Sequence, residues 1–300
     1  MKKHYLTLFA TALSVIVFTS CGGGDNAKSE PQEDTTAVDT NEVEMWGFDA
    51  MNGSSYQVPS PNELFGIIKS SKLPYKDGLI TTAQVNYASS KTQALNFGRL
   101  TADIAYTASY EKFQESISNF DNLRKVGDDL GISYVFDELM VNRVKSNMDN
   151  SDSLEVISTS SYQNIIGMLE QNEKGSTLAI IAAGGFVESI YILTNMIDTY
   201  KDGNETIQRL ADQKLVMENV LDYLNLFRDE DRVLEVLTDI QGVSDVFLNL
   251  DEVSVSQEVS QQGQKTVLGG NRIVMTADEF NALKKAATDY RNSFSNPSEG

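Results

Sequence analysis

Leu178–Leu193 reads LAIIAAGGFVESIYIL, the most apolar stretch of the chain beyond its N-terminus. Leu178 to Val187 carries no charged side chain, but Glu188 then interrupts, and a membrane-spanning helix needs about twenty apolar residues. The stretch therefore predicts a helix buried inside a protein. Gly184 and Gly185 each cost a helix about 1 kcal/mol of propensity, so close approach of a second helix is expected there. Thr177, Gly184, Glu188, Tyr191 and Asn195 share one face of this helix. That face either lines a polar cavity or points to water.

Working outward, no proline interrupts Lys76 to Asn296, and Leu, Ala, Glu, Gln and Asp are abundant. This composition predicts helices throughout. The last is the clearest: Phe280, Leu283, Ala287, Tyr290 and Phe294 step by helical spacing, and Thr276 with Glu279 forms a capping box before them. Asn204 caps another, after Gly203, with Ile207, Leu210, Met217, Leu221 and Leu224 on one stripe. Gly and Asx clusters bound further helices near 61–71, 91–107, 110–129, 133–147, 153–172, 176–201 and 229–249. The expected fold is all-α: one domain over 45–300 of about 8 antiparallel helices, bundle-like. A helical-repeat superhelix is the alternative, although no fixed-period repeat appears. Val253 to Asn271, rich in Gln, Ser and Gly, reads as a long loop or a frayed segment.

A second polar stripe, Asn96, Arg99, Asp103, Tyr106 and Tyr110, runs along LNFGRLTADIAYTASY at helical spacing. Arg99 and Asp103 form an i,i+4 pair suited to a solvated face. The stripe also suits an interhelical network or a ligand contact. Were it to face Glu188, Asp103 and Glu188 would make a carboxylate pair of the kind glycosidases use. The run Asn147, Asp149, Asn150, Ser151, Asp152 has oxygen ligands at calcium-loop spacing but lacks the glycine and the final glutamate of such a loop, so it reads as a helix stop and a cap.

The N-terminus is an address. Lys2 and Lys3 precede an apolar run from Leu6 to Phe18, too short to span a bilayer and suited to an export signal. The run ends in Phe18-Thr19-Ser20-Cys21, which resembles the lipobox of bacterial lipoprotein signals. That resemblance implies a signal peptide over 1–20, acylation of Cys21, and anchoring in the lipid bilayer through several acyl chains. Gly22, in place of the aspartate that retains such proteins at the inner membrane, implies the outer membrane, with its face open. Residues 21–44 hold seven acids against Lys28 alone and almost no large apolar side chain, so they read as a disordered acidic tether.

Composition excludes much chemistry. Cys21 is the only cysteine, and the only histidine, His4, lies in the expected signal. No thiol nucleophile, Ser-His-Asp or Cys-His constellation, or nitrogen or sulfur metal site is expected in the body, and no cofactor. With 43 acidic against 24 basic residues, formal net charge −19, nucleic acid is a disfavoured partner.

The segments ALNFGRLTADIAYTASYEKF, VGDDLGI, NMDNSDS and LAIIAAGGFVESIYILTNMI together resemble a group of all-helical lipoproteins of Bacteroidetes-type bacteria. In that group an N-x-G-x-x-x-A-D-x-x-Y run precedes a G-G-[FW]-V-E segment. The likeness covers roughly residues 90–230 and singles out Asn96, Gly98, Asp103, Tyr106, Gly184, Gly185, Glu188 and Tyr191. It implies a lipoprotein and an all-α body, and no reaction. The expectation is a non-enzymatic envelope lipoprotein that presents a surface or groove to an envelope protein or small ligand. Asn96, Arg99, Asp103, Tyr106, Glu188 and Tyr191 are its candidate binding or buried polar residues; Gly98, Gly184 and Gly185 are its close-packing positions. A carboxylate-dependent hydrolase using Asp103 and Glu188 is the alternative.

Overall fold

A computed structural model describes residues 61–295 apart from 84–85, 148–149 and 262–263. The expected signal peptide, Cys21 and tether lie outside the described residues. The described elements belong to one compact unit, Phe48–Gly300. They are α1 (Pro61–Ser71), α2 (Ser90–Ser109), α3 (Phe113–Asp129), a 3₁₀ turn at Ser133–Val135, α4 (Glu138–Ser146), α5 (Ser151–Gln171) and α6 (Gly175–Met196). There follow α7 (Glu205–Asp212), α8 (Lys214–Asn225), α9 (Asp231–Asp239), α10 (Gln241–Leu248), strands β1 (Glu252–Gln261) and β2 (Gln264–Ile273), and α11 (Ala277–Ser295). The protein is all-α with one hairpin, and has eleven α-helices among the described residues rather than about eight.

The extra helices arise at breaks that carry no proline. The helix capped by Asn204 stops at Gln213 and restarts, and the one over 229–249 does the same at Ile240; both junction residues keep φ near −70° but relax ψ to about −8°. Over 133–147 a 3₁₀ turn comes first, because Asp137 starts α4 by accepting from the Met140 amide at 2.6 Å. Asn147 closes α4, and Asn150 caps α5 by accepting from the Ser153 amide.

The expected loop over 253–271 is instead an antiparallel hairpin, in register from Glu252↔Ile273 to Gln261↔Gln264. Its signal is the alternation of Val253, Val255 and Val259 with Ser254, Ser256 and Ser260, which Gln and Gly content obscured. A lone two-stranded ribbon is marginal in water. This one is tied down at its base: Gln208 Nε2 donates to the Ile273 carbonyl at 2.9 Å, and the Lys214 ammonium donates to the Leu250 carbonyl at 3.0 Å.

Helix α6 is the centre, with α2, α11 and α8 packed on it and α3 and α1 packed on α2. Among the described residues it is the one helix long and apolar enough to cross a membrane by composition, yet 83% of its most apolar window is buried inside the fold. The closest pair, α2 and α6, is not consecutive in sequence. Leu95 meets Gly184 and Gly98 meets Gly185, and Lys76 joins Tyr106 to Asn195. Contact numbers thus rise together, so the two helices run in the same sense. Short links set consecutive helices antiparallel and leave the sense of a non-consecutive pair such as this one open.

Glycine makes the approach possible. A Cβ on Gly98 would stand 1.9 Å from the Ile181 carbonyl oxygen, and one on Gly184 would stand 2.1 Å from that of Leu95. Gly185 is less constrained, its Cβ position lying 3.3 Å from the Gly98 oxygen. The propensity cost of these glycines is offset by backbone contact between helices.

Candidate functional site

The glycine crossing brings the two polar stripes together. Asn96 and Asp103 are fully buried and Arg99 is 2% exposed, so the solvated-face reading of the Arg99–Asp103 pair is wrong. The reason is tertiary: the α2 stripe lies under α11 and against α6. Arg99 Nη1 donates to Asp103 Oδ2 at 2.5 Å, Nε donates to Asn96 Oδ1 at 2.8 Å, and Nη2 reaches the Tyr87 hydroxyl at 3.4 Å. Asn96 Nδ2 in turn donates to the Phe294 carbonyl at 2.8 Å. That carbonyl is in the last turn of α11 and has no partner within its own helix.

Glu188, on α6, is also fully buried, and its counter-charge comes from α11: Arg291 Nε donates to Glu188 Oε2 at 3.1 Å. The Arg291 guanidinium also stands 4.7 Å over the Tyr191 ring, whose hydroxyl donates to the Leu79 carbonyl. The Asp103 and Glu188 carboxyls lie near enough to act on each other. Burial, and next the neighbouring Glu188 charge, push the Asp103 carboxyl well above the ordinary aspartate value. Asp103 Oδ1 and Glu188 Oε1 are the two carboxylate oxygens here with no hydrogen-bond partner.

The remaining stripe residues serve elsewhere. The Tyr106 hydroxyl accepts from the Lys76 amide at 2.9 Å, its ring stacks on Tyr75 at 5.1 Å, and Tyr110 Oη donates to the Leu73 carbonyl. They fasten the 72–80 segment to α2. The α6 face divides too: Thr177 and Glu188 are buried, while Tyr191 and Asn195 are half-buried beneath that segment.

Two members of the network escaped sequence reading, Arg291 and Tyr87. Arg291 had a signal: it follows Ala287 by four and precedes Phe294 by three, inside the core stripe of α11. A cation at a core position of an amphipathic helix calls for a buried partner. Tyr87 lies before α2 and carries no periodicity.

Chemically, this cluster is closed. Neither cavity described below borders Asp103 or Glu188. Among the described residues no group of three or more acidic side chains is placed to hold a metal ion.

Open space lies on other faces of α2. A cavity of about 80 Å³ is bounded by Phe97, Thr101, Ile104 and Ala108 of α2, Phe120 and Leu123 of α3, and Met140 and Val144 of α4. Leu154, Ile157, Ser161, Tyr162 and Ile165 of α5, with Leu178 and Ile181 of α6, complete it. No charged side chain lines it. It exists because α4 packs chiefly on α5 and stands off α2 and α3. A smaller cavity of about 40 Å³ lies over the glycine crossing and shares Thr101, Tyr162 and Ile181 with the first. Its wall holds Glu63, raised by burial and held down in part by the Gln213 amide that donates to it.

Comparison with protein families, with curated proteins and with solved structures finds no match.

Proposed function

We propose that the chain is a lipid-anchored envelope protein whose helical body binds a partner or small ligand rather than catalysing a reaction. The observation that carries this reading is the burial of Asp103 and Glu188. A glycosidase needs its two carboxyls on either side of a cleft that admits sugar and water. Here both lie at zero exposure, each answered by its own arginine. Such a cluster fixes how α2, α6 and α11 meet.

The anchor rests on Cys21, the only cysteine, behind a charged and apolar leader. Gly22 after it supports the outer membrane, and the acidic balance supports partners other than nucleic acid. The helices on α6 supply a rigid frame, and the void beside α4 supplies concave apolar space.

In cells producing the full chain, alkyne-palmitate labels the wild type, labels no Cys21→Ala variant, and follows the protein into the outer-membrane fraction. Asp103→Asn and Glu188→Gln change the melting temperature and leave captured envelope partners the same. A hydrolytic activity lost in both variants at unchanged melting temperature overturns the binding reading.

A further inference from the structure

Resting on the reading of the body as a binding protein, we infer that the cavity under α4 takes one acyl chain of an anionic single-chain amphiphile, with α4 as its cover. The lining is apolar apart from the hydroxyls of Thr101, Ser161 and Tyr162, so a buried ligand portion gains by desolvation and finds no charge to pair with. Thr101 already donates its hydroxyl to the Phe97 carbonyl at 3.0 Å. An unbranched hydrocarbon fits such a wall; a sugar or peptide leaves its polar groups unpaired.

The cover is lightly held. α4 is nine residues long, packs chiefly on α5, and turns Met140 and Val144 into the cavity. At about 80 Å³ the space holds only a few carbons while α4 is seated, so a longer chain enters as α4 swings outward. Two exposed apolar side chains stand next in sequence to lining residues. Leu139, next to Met140, is 76% exposed and Val156, next to Ile157, is 66% exposed, the highest values among the large apolar side chains described.

The head group follows from charge. Arg143 and Lys145 flank the lining residue Val144, are exposed, and have no ion-pair partner among the described residues. In a chain of formal net charge −19, two cations without ion-pair partners, one on either side of the lining residue Val144, suit a carboxylate or phosphate at the end of an acyl chain.

The test uses membranes containing the full chain, stripped of ATP so that an added fatty acid stays unesterified. A photoreactive palmitate bearing an alkyne is added, irradiated, and its crosslinks are mapped by mass spectrometry. Saturable crosslinks on α2, α4 and α5 peptides, competed by excess palmitate or by a monoacyl phospholipid, are expected. Whichever competitor acts at lower concentration identifies the source of the chain. Ala108→Phe fills the cavity and removes these crosslinks without lowering the melting temperature; Ser161→Leu, from the opposite wall, repeats the test should the first variant unfold. Reversing Arg143 and Lys145 to Glu weakens capture of the acid about tenfold and leaves capture of the matching photoreactive alcohol unchanged. Unsaturable labelling, or equal labelling in a folded cavity-filled variant, overturns the inference. A wild type that captures no probe also overturns it, while the binding reading is judged separately by the carboxylate variants.

Discussion

Helix α2 meets its neighbours in two opposite ways. Toward α6 it presents Gly98, and the backbones touch so closely that one methyl group has no room. Toward α3, α4 and α5 it presents Thr101, Ile104 and Ala108, and a void remains. Small residues stand at both places. The outcome differs because α6 is a long, central helix held on several sides, whereas α4 is short and fastened chiefly to α5. A small side chain yields close packing only where the facing element is free to move in and is then held there.

Adding carbon on the two sides gives the sharpest contrast. Gly98→Ala or Gly184→Ala drives a Cβ into a carbonyl oxygen, and a loss above about 4 kcal/mol is expected, read as absence of a cooperative thermal transition at growth temperature. A mild effect would break the comparison, because it would mean that the α2–α6 crossing relaxes.

Next in size is Arg291→Met, which leaves Glu188 buried without its cation. Removal of one partner of a buried pair costs about 3–5 kcal/mol, measurable as a fall in the urea midpoint. A loss under about 1 kcal/mol would mean that water reaches this cluster.

The raised Asp103 carboxyl sharpens the comparison through pH. Burial and Glu188 hold the Asp103 carboxyl above its ordinary value, so the folded chain keeps a proton that the unfolded chain has released. The stability this contributes is complete below the ordinary aspartate pKa and is lost as pH rises through the raised one. Asp103→Asn removes that slope, which for one proton is at most about 1.4 kcal/mol per pH unit. Parallel wild-type and variant curves from pH 4 upward would contradict the raised Asp103 carboxyl.

The smallest effect belongs to the loose side. Ala108→Phe places a ring in the void and is expected to stabilise by about 0.5–2 kcal/mol in a thermal melt, with the sign opposite to Gly98→Ala on the same helix. Destabilisation of several kcal/mol would show that the wall near Ala108 is already filled.

Much of the architecture was legible before any coordinate. The stripe of α11, its Thr276–Glu279 capping box and the Asn204 cap all stand where spacing puts them. These are local features, decided within a turn or two of chain. The breaks at Gln213 and Ile240 were hidden because each lies between good helix formers and follows from how the flanking segments pack. The hairpin was hidden by composition, since Ser and Gln mask a period-two pattern carried by three valines.

For the candidate site, Asn96, Arg99, Asp103 and Glu188 were each recognisable as polar residues at helical spacing. Their burial was not, because an i,i+4 ion pair looks the same on a wet face and under another helix. Arg291 supplies the missing half of the account and lies over a hundred residues from Glu188 in sequence.

Sequence alone determined the helical class, the caps and most helix limits, because periodicity and end chemistry act between near neighbours. It also excluded histidine and thiol chemistry in the body, since composition needs no geometry. Only the tertiary structure decided that α2 and α6 run in the same sense, that two carboxylates and two arginines close on one another, and that α4 stands off a void. Each of these depends on which stripe faces which across long separations, and hydrophobic periodicity names a buried face without naming what buries it.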